Sequence, residues 1–304
     1  MIELKNVVKV FGRRTAVEDL TLTVPPGSIY GLLGHNGAGK STAIGMMLGQ
    51  VWPTHGEVRV GGYEVTAHRQ QALQRVGAIF EAPVFYDYLS GWRNLEILSH
   101  YTGPTSPARI REVIDWVGLT GREKGKVRTY SHGMRTRLAL AQALLPDPNL
   151  LILDEPGDGL DPEGIHELRL TILRLNRELG LTILLSSHLL NEVEQLCTGI
   201  AVLNQGRKVF EGPLTGIRSD RHWLRLRTGD FAAAVRELRQ AGLITDARDE
   251  RLIELAPAAG PEQVVRRLVE LGMAVYEIAP EEPTLEHFYL SLMKDSRVKP
   301  PGLL

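Results

Sequence analysis

The stretches Ser28-Ile-Tyr-Gly-Leu-Leu33 and Gly34-His-Asn-Gly-Ala-Gly-Lys40-Ser41 decide the fold of this chain. The first is a short apolar run that predicts a buried strand, and helical spacing follows from Ser41 to about Gly49. The glycine-rich segment fits the pattern G-x-x-x-x-G-K-[ST], whose backbone N–H groups surround a phosphate. A strand, this loop and a helix in succession predict an α/β fold with a phosphate site at the start of the helix.

The loop also predicts an ATP site with Mg²⁺ as its metal. Lys40 is expected to hold the β- and γ-phosphates, and the Ser41 hydroxyl is expected to bind the metal. An accidental glycine-rich match is the alternative, but the flanking strand and helix favour the phosphate site. The nucleotide-binding residues predicted from the loop are Gly34, His35, Asn36, Gly37, Ala38, Gly39, Lys40, Ser41 and Thr42.

A second apolar run, Leu150-Leu-Ile-Leu153, ends in the adjacent carboxylates Asp154 and Glu155. This run, like Thr182-Ile-Leu-Leu185, is typical of a strand buried on both faces of a parallel sheet, whose carboxyl end is where such folds bind ligands. We expect Asp154 to face Mg²⁺ and Glu155 to polarise the attacking water. Many strands end in acidic turns, so the pair gains its meaning from the phosphate loop upstream.

The composition is that of an ordinary globular chain. Its net charge of −1 gives no overall attraction to nucleic acid, so we expect no nucleic-acid partner. The single cysteine, Cys197, excludes an internal disulfide and predicts a buried thiol on a helix, in a reducing compartment.

No apolar stretch approaches the roughly 20 residues that span a bilayer, and the start MIELKNVVKVFG predicts a strand rather than a signal peptide. We therefore expect a cytosolic or peripheral protein, with any membrane part on another chain.

The chain of 304 residues predicts two domains, at about 150 residues per domain. Glycine and proline at Gly212-Pro213, followed by a change of pattern, predict a boundary near residues 212–222. The expected parts are an ATPase domain over 1–215, an accessory α+β domain over 222–295 and a disordered tail over 296–304.

The accessory part contains a weak internal repeat. Residues Val235–Leu243 match residues Val265–Met273, and each copy predicts a short amphipathic helix that ends at a glycine. Strand-like residues lie before or after each helix. The repeat therefore predicts a small split-βαβ module rather than a solenoid, which would need more copies.

The segment Tyr130-Ser131-His-Gly133-Met opens a helical stretch that precedes Asp154. A serine hydroxyl and bare backbone at a helix N-terminus predict a second phosphate site, although one domain needs only one for the γ-phosphate. With the phosphate loop and the acidic strand end, this order of segments resembles the ABC (ATP-binding cassette) ATPase family over residues 1 to about 212. The resemblance implies a homodimer, in which Ser131 and Gly133 of each subunit complete the ATP site of the other.

The resemblance implies further site residues. Asp161 matches the family's D-loop, which crosses the dimer interface, although an Asp-Pro turn also starts plain helices. His188 matches the histidine that contacts the γ-phosphate, although a lone histidine is more often structural. Phe11 lies where the family stacks an aromatic ring on adenine, although a phenylalanine at a strand end is more often part of the core. The residues expected to be catalytic are Lys40, Glu155 and His188.

Two departures distinguish this chain from the usual family pattern. Glu81 stands where glutamine is usual, and we expect its carboxylate to bind Mg²⁺ more strongly than an amide while repelling the γ-phosphate. His132 and Met134 replace the usual glycine and glutamine of the signature segment, whose serine and second glycine are kept. Together with Ile79–Tyr86 and Pro283–Tyr289, these departures resemble the bacitracin- and lantibiotic-type branch of ABC exporters.

That branch implies an ATP-hydrolysing subunit that acts on a separate membrane permease from the cytoplasmic face of the cell membrane, as an exporter of antibiotics, peptides or drugs. The region 82–101, with Phe85, Tyr86 and Tyr88, is suited to this contact, although the rings could equally pack inside the helical part. A soluble ABC ATPase that remodels ribosomes, DNA ends or iron–sulfur scaffolds is the alternative. One phosphate loop and no long heptad insertion favour the transporter. The transported substrate is not readable from this chain.

Overall fold

The computed structural model describes residues 1–80, 83–102, 105–217, 223–257, 259–281 and 284–295. The chain forms two units. The first comprises Met1–Leu214 and the described residues from Tyr289 on, and the second comprises Thr215–Phe288. The domain limits given above stay predictions, and the tail predicted to be disordered lies outside the described residues.

The elements of the first unit run from an N-terminal hairpin to the strand before Leu214. In chain order they are β1 (Ile2–Phe11), β2 (Arg14–Val24), β3 (Ile29–Leu33), α1 (Lys40–Met47), β4 (His55–Val60), β5 (Tyr63–Glu64), α2 (Arg69–Leu73), β6 (Val76–Ile79), α3 (Gly91–Thr102), α4 (Pro107–Trp116), α5 (His132–Leu144), β7 (Leu150–Leu153), α6 (Pro162–Leu179), β8 (Thr182–Ser187), α7 (Leu190–Leu196), β9 (Gly199–Asn204) and β10 (Arg207–Pro213). Short 3₁₀ turns lie at Val127–Thr129 and Leu214–Ile217.

A mainly parallel sheet, with strand order β10-β9-β3-β8-β7-β6, forms the centre of this unit. All neighbours in it are parallel except β9 and β10. Every residue of β3, β7 and β8 is buried, as expected for parallel strands whose two faces are both covered. The three apolar runs predicted to be strands are thus confirmed. Because β3, β8 and β7 are neighbours, the residues that follow them lie side by side at one edge of the sheet.

An antiparallel sheet with strand order β2-β1-β4-β5 accompanies the parallel one. Its inward residues, such as Ile2 and Leu4 of β1, share a core with Met47 of α1 and Ile152 of β7. The β1–β2 hairpin turns tightly, and Phe11 pairs with Arg14 at its tip. This shared core fixes the hairpin tip relative to the phosphate loop, since α1 begins where that loop ends.

Helices α3, α4 and α5 follow β6 and precede β7 in the sequence, and they pack against one another. Two of them begin at a serine N-cap with the same geometry. The Ser106 hydroxyl accepts a hydrogen bond from the Arg109 N–H, and the Ser131 hydroxyl accepts one from the Met134 N–H, both at 3.2 Å. Each cap satisfies an N–H group that has no partner within its own helix.

The second unit contains β11 (Trp223–Thr228), α8 (Phe231–Gln240), β12 (Ile244–Arg248), β13 (Leu252–Leu255), α9 (Pro261–Glu270) and β14 (Val275–Pro280). A last helix, α10 (Leu285–Asp295), begins in this unit and continues in the residues that belong to the first. The sheet is antiparallel with strand order β12-β13-β11-β14. This order interleaves two βαβ halves, which confirms the predicted split-βαβ module.

The sequence repeat corresponds to α8 and α9, which end in the same way. After α8, Gly242 has a φ of +67°, and the Leu243 N–H donates to the Leu238 carbonyl at 3.0 Å. After α9, Gly272 has a φ of +73°, and the Met273 N–H makes the equivalent bond at 2.9 Å. Glycine at these positions carries no steric penalty for the left-handed backbone that stops the helix. The repeated residues therefore encode two matching helix ends.

The single cysteine lies next to α7, and the longest helix of the described residues is α6. Cys197 is buried, as predicted, but it follows the end of α7 with an extended backbone rather than lying on the helix. A Cβ at Gly31 of β3 would lie only 3.1 Å from its sulfur. The α6 helix has 18 residues but carries charged side chains along its length. Across the described ranges, no helix combines the length and the apolar character needed to cross a membrane.

Candidate functional site

The phosphate loop lies between β3 and α1, with the backbone that its glycines allow. Gly37 and Gly39 have φ values of +81° and +107°, which glycine adopts without a steric penalty. A Cβ at Gly39 would lie only 2.8 Å from the Ala16 carbonyl oxygen, so the close approach of loop and β2 also requires glycine. The Lys40 side chain is buried, and its ammonium donates to the Gly34 carbonyl at 2.8 Å. This bond closes the loop on itself around the lysine.

A cleft of about 780 Å³ opens at the start of α1 and gathers most of the residues predicted for nucleotide binding. Two of the predicted residues, Gly34 and His35, do not line this cleft. The Gly34 carbonyl binds Lys40, and the His35 ring lies 3.0 Å from the Asn204 side chain. The lining residues are Phe11, Arg14, Ala16, Asn36, Gly37, Ala38, Gly39, Lys40, Ser41, Thr42, Glu155, Asp158 and His188.

Glu155 joins the phosphate loop to the end of β8. One carboxylate oxygen lies 3.1 Å from the Lys40 ammonium, and the other lies 2.7 Å from Nδ1 of His188. Burial alone raises the pKa of Glu155, but hydrogen bonds from His188 and Lys40, with their charges, hold that pKa below its ordinary value of 4.5. Glu155 is therefore ionised at neutral pH. The three residues predicted to be catalytic thus meet in one cleft, each following a different strand of the parallel sheet.

Asp154 adjoins Glu155 and is held by β8. The Ser186 hydroxyl donates to one oxygen of Asp154 at 2.5 Å and accepts the Glu155 N–H at 2.9 Å. Carboxylate and hydroxyl oxygens suit Mg²⁺, which usually takes only one or two protein ligands when phosphates supply the others. Asp154 offers a carboxylate oxygen and Ser41 a hydroxyl oxygen, so both supply the kind of ligand atom that this ion takes. Glu81, the third predicted ligand, lies outside the described residues.

A second cleft, of about 390 Å³, lies at the starts of α5 and α6 and contains three more of the predicted residues. Ser131, Gly133 and Asp161 line it. The Asp161 carboxylate accepts an N–H from the first turn of α6 at 2.9 Å, so the helix-starting role also weighed for this residue is present. The His132 ring lies 3.0 Å from the Asp158 carbonyl oxygen. Because Asp158 also lines the first cleft, this bond connects the walls of the two clefts.

Comparison with known proteins identifies the family. Residues 17–158 match the ABC transporter family. The bacitracin transport ATP-binding protein of Enterococcus faecalis is 36% identical over 96% of this chain and 96% of its own length. The chain belongs to the ABC transporter family. It is an ABC-type ATPase, the ATP-binding subunit of a transporter.

Two further ABC proteins agree with this assignment. The lantibiotic transport ATP-binding protein of Streptococcus pyogenes is 38% identical over 71% of this chain and 92% of its own length. A solved dimeric structure of a bacterial ABC transporter cassette is 25% identical, covers 71% of this chain and 100% of its own, and superposes with a TM-score of 0.64. The resemblance to ABC ATPases, and to the bacitracin and lantibiotic branch, is thereby confirmed.

Phe11 of the cassette lies at the tip of the β1–β2 hairpin and is 50% exposed, so it is not a core residue. The Lys9 ammonium lies 4.7 Å from the centre of its ring and donates to the Trp52 carbonyl at 2.7 Å. A cation held over an aromatic ring in this way stabilises the ring's position. Phe11 also lines the ATP cleft, and its stacking on adenine stays a prediction.

The aromatic residues predicted for a partner contact differ in exposure. Phe85 is buried, so the prediction that it lies on a contact surface is wrong, and the alternative of internal packing holds for it. Tyr86 and Tyr88 are exposed, and their rings meet edge to face with centroids 6.1 Å apart. The fully buried Asn94 exchanges hydrogen bonds of 2.8 and 3.1 Å with the Tyr86 backbone, which fixes this loop of the cassette.

Sequence reasoning missed three residues of the cassette's site. Arg14 and Asp158 line the ATP cleft, and Ser186 binds Asp154. The Arg14 guanidinium lies close to the phosphate loop, since a Cβ at Gly37 would be 3.7 Å from it. The positive charge of Arg14, three residues after Phe11, could have indicated that it faces the nucleotide. Ser186 had none, because its position depends on the order of strands in the sheet.

Proposed function

We propose that two copies of the cassette bind two MgATP, each between the phosphate loop of one copy and the Ser131–Gly133 segment of the other. The observation that carries this proposal is the division of predicted phosphate-binding residues between two clefts of one chain. The first holds Lys40, Glu155 and His188, and the second holds a helix N-terminus, which attracts anions. A two-fold dimer would bring each second cleft to the ATP of the other copy. A similar solved cassette is dimeric, which supports the formation of a dimer.

In the proposed site each catalytic residue has one task. Lys40 binds the β- and γ-phosphates, whose charge replaces part of its contact with Glu155. Glu155 then accepts a hydrogen bond from the attacking water and polarises it toward the γ-phosphorus. His188 contacts Glu155 through Nδ1, and with a proton on each ring nitrogen it also donates from Nε2 to the γ-phosphate. Phe11 stacks on the adenine, and Asp161 lies at the interface between the copies.

Mg²⁺ bound with the nucleotide neutralises charge on the β- and γ-phosphates. In this proposal the Ser41 hydroxyl and the Asp154 carboxylate hold it, and Glu81 is a further ligand. Of these, Asp154 has a carboxylate whose orientation is fixed by a buried hydroxyl, and Ser41 lines the ATP cleft. The loop from Gly34 to Thr42 surrounds the phosphates themselves.

The loop carrying Tyr86 and Tyr88 is proposed to contact the membrane permease, on the cytoplasmic face of the cell membrane. Both rings are exposed, and the adjacent Val84 is 87% exposed, so the loop presents an apolar and aromatic surface. Asp87, between the tyrosines, forms a 2.9 Å ion pair with Arg135 of α5. Because α5 begins at Ser131, a shift of this helix when ATP binds would reach the loop directly.

Export of an antibiotic or peptide is the proposed direction and class of transport. Its support is the similarity, along nearly the whole chain, to a bacitracin transport subunit, and the similarity of the cassette to a lantibiotic transport subunit. The permease would select the substrate itself. The cassette would supply the force by closing on ATP and reopening after hydrolysis.

Replacing Ser131 with alanine is expected to weaken ATP-driven dimerisation about 10- to 100-fold for each site, since a hydrogen bond to a charged group contributes about 1.5–3 kcal/mol. The measurement is sedimentation velocity against ATP concentration, in protein that also carries Glu155→Gln to suppress hydrolysis. The same change removes an N-cap and costs about 1 kcal/mol of stability.

Ser106→Ala is the matched control, because Ser106 caps α4 with the same 3.2 Å hydrogen bond. It should lose similar stability and leave ATP-driven dimerisation unchanged. Equal dimerisation by both variants would contradict the proposed role of Ser131.

A further inference from the structure

A single buried hydroxyl connects the two carboxylates that follow β7. The strands β7 and β8 are parallel, and Leu153 pairs with Leu185, so Asp154 comes to lie beside Ser186. Ser186 is 0% exposed. Its hydroxyl donates to Asp154 at 2.5 Å and accepts the N–H of Glu155 at 2.9 Å. One side chain therefore contacts both the carboxylate proposed for the metal and the backbone of the carboxylate proposed for the water.

The direction of these bonds is fixed by chemistry. An ionised carboxylate only accepts and a backbone N–H only donates, so the Ser186 proton must point at Asp154 and its lone pair at Glu155. The bond to Asp154 is short, as expected when the acceptor carries a charge. Ser186 can thus make both bonds at once only with one orientation of its hydroxyl. An alanine at this position could make neither bond.

Glu155 has a backbone that needs this support. Its φ is +47°, in the left-handed region that is sterically unfavourable for a residue other than glycine. The hydrogen bond from its N–H to Ser186 is made in that conformation. The same conformation allows its carboxylate to contact Lys40 and His188. Local strain of this kind persists where surrounding contacts hold it, and it is common at functional sites.

We propose that Ser186 is a positioning residue of the ATPase: it orients the Asp154 carboxylate for Mg²⁺ and holds Glu155 in the conformation that faces the water. The inference rests on the proposed roles of Asp154 and Glu155. Ser186 acts through these two residues and is assigned no contact with nucleotide. Hydrogen-bonding partners of metal ligands affect metal affinity by about 10- to 100-fold when removed.

The test is Mn²⁺ binding in the presence of a non-hydrolysable ATP analogue, followed by the electron paramagnetic resonance of free Mn²⁺. Ser186→Ala in the full chain is expected to weaken Mn²⁺ binding about tenfold or more. In steady-state hydrolysis, the Mg²⁺ concentration for half-maximal rate should rise and kcat should fall, while the affinity for metal-free ATP stays unchanged. A purely structural role would not move metal affinity selectively.

Thr182→Val is the matched control. Thr182 lies at the other end of β8, is equally buried, and its hydroxyl accepts the Gly27 N–H at 2.9 Å. Its loss removes the partner of one backbone N–H, as Ser186→Ala does, but far along the strand from the carboxylates. The control should show a similar drop in melting temperature with unchanged Mn²⁺ affinity. Ser186→Cys, nearly the same size but a weak hydrogen-bonding group, is the second variant and should show an intermediate loss.

Wild-type Mn²⁺ affinity in folded Ser186→Ala or Ser186→Cys protein would overturn the role of Ser186 and leave the proposed ATP site intact. Failure of the wild-type protein itself to bind Mn²⁺ with nucleotide would overturn the proposed site, and the role of Ser186 with it. Equal loss of affinity in the Thr182→Val control would also overturn the inference, because the effect would then follow strand stability.

Discussion

Replacing Glu155 with glutamine is expected to lower kcat for ATP hydrolysis by about 10²- to 10⁴-fold, the usual contribution of a positioned base. Glutamine keeps the shape of the side chain but loses the charge that polarises the water. ATP affinity should stay within a few-fold or rise, because the ionised carboxylate beside Lys40 repels the incoming phosphates. Single-turnover hydrolysis and calorimetric ATP binding on the same protein measure the two quantities.

The acid–base state of Glu155 gives a second expectation for the wild-type protein. Burial raises the pKa of this carboxyl, but the hydrogen bonds and charges of His188 and Lys40 hold it below its ordinary value, so kcat/KM, which reports the nucleotide-free enzyme, should show no titration of Glu155 near neutral pH. Glu178→Gln is the control, because Glu178 forms only an exposed ion pair with Arg174 and should leave kcat unchanged. A Glu155→Gln protein with more than a tenth of wild-type kcat would contradict the assigned role.

Replacing Lys40 with methionine is expected to weaken ATP binding by roughly 200- to 5,000-fold, since loss of one member of a buried charged contact costs roughly 3–5 kcal/mol. Lys40 is 6% exposed and directly follows the glycines that shape the loop. Methionine preserves the apolar length of the side chain and removes only the ammonium. Calorimetric titration with ATP measures the loss.

Lys5→Met provides the control for removing a positive charge. Lys5 lies on β1, is exposed, and forms a surface ion pair with Glu3. Its substitution should leave the ATP dissociation constant unchanged. ATP affinity within threefold of wild type in folded Lys40→Met protein would contradict a phosphate-binding role for Lys40, whatever its effect on stability.

The three catalytic residues of the first cleft could be predicted because their positions depend on local signals. Lys40 follows a glycine-rich loop, and Glu155 and His188 follow apolar runs that could only be buried parallel strands. In such sheets the functional residues follow the carboxyl ends of the strands. Residues that follow three neighbouring strands are therefore expected to form one site. Their neighbourhood in the order β3-β8-β7 is what the structure adds.

The contacts that depend on packing could not be predicted. Ser186 follows its strand like any serine, and its bond with Asp154 requires the register of β7 against β8. Phe85 and Tyr86 are adjacent aromatic residues with no difference in pattern, yet one packs inside and the other is exposed. The second unit was predictable for the same reason as the cleft, because glycine helix ends are local signals.

The central claim is that this ATPase acts on a separate membrane chain through the loop of Tyr86 and Tyr88. Purifying the tagged protein from detergent-solubilised membranes of its own cells, beside Tyr88→Ala and Tyr63→Ala variants, tests it most directly. Tyr63 is about half exposed and lies outside this loop. We predict a stoichiometric multi-spanning membrane protein with the wild type and Tyr63→Ala, and at least about tenfold less with Tyr88→Ala, the loss of a central contact residue. A chain found only in the soluble fraction, alone or with ribosomes or a scaffold protein, would contradict the claim.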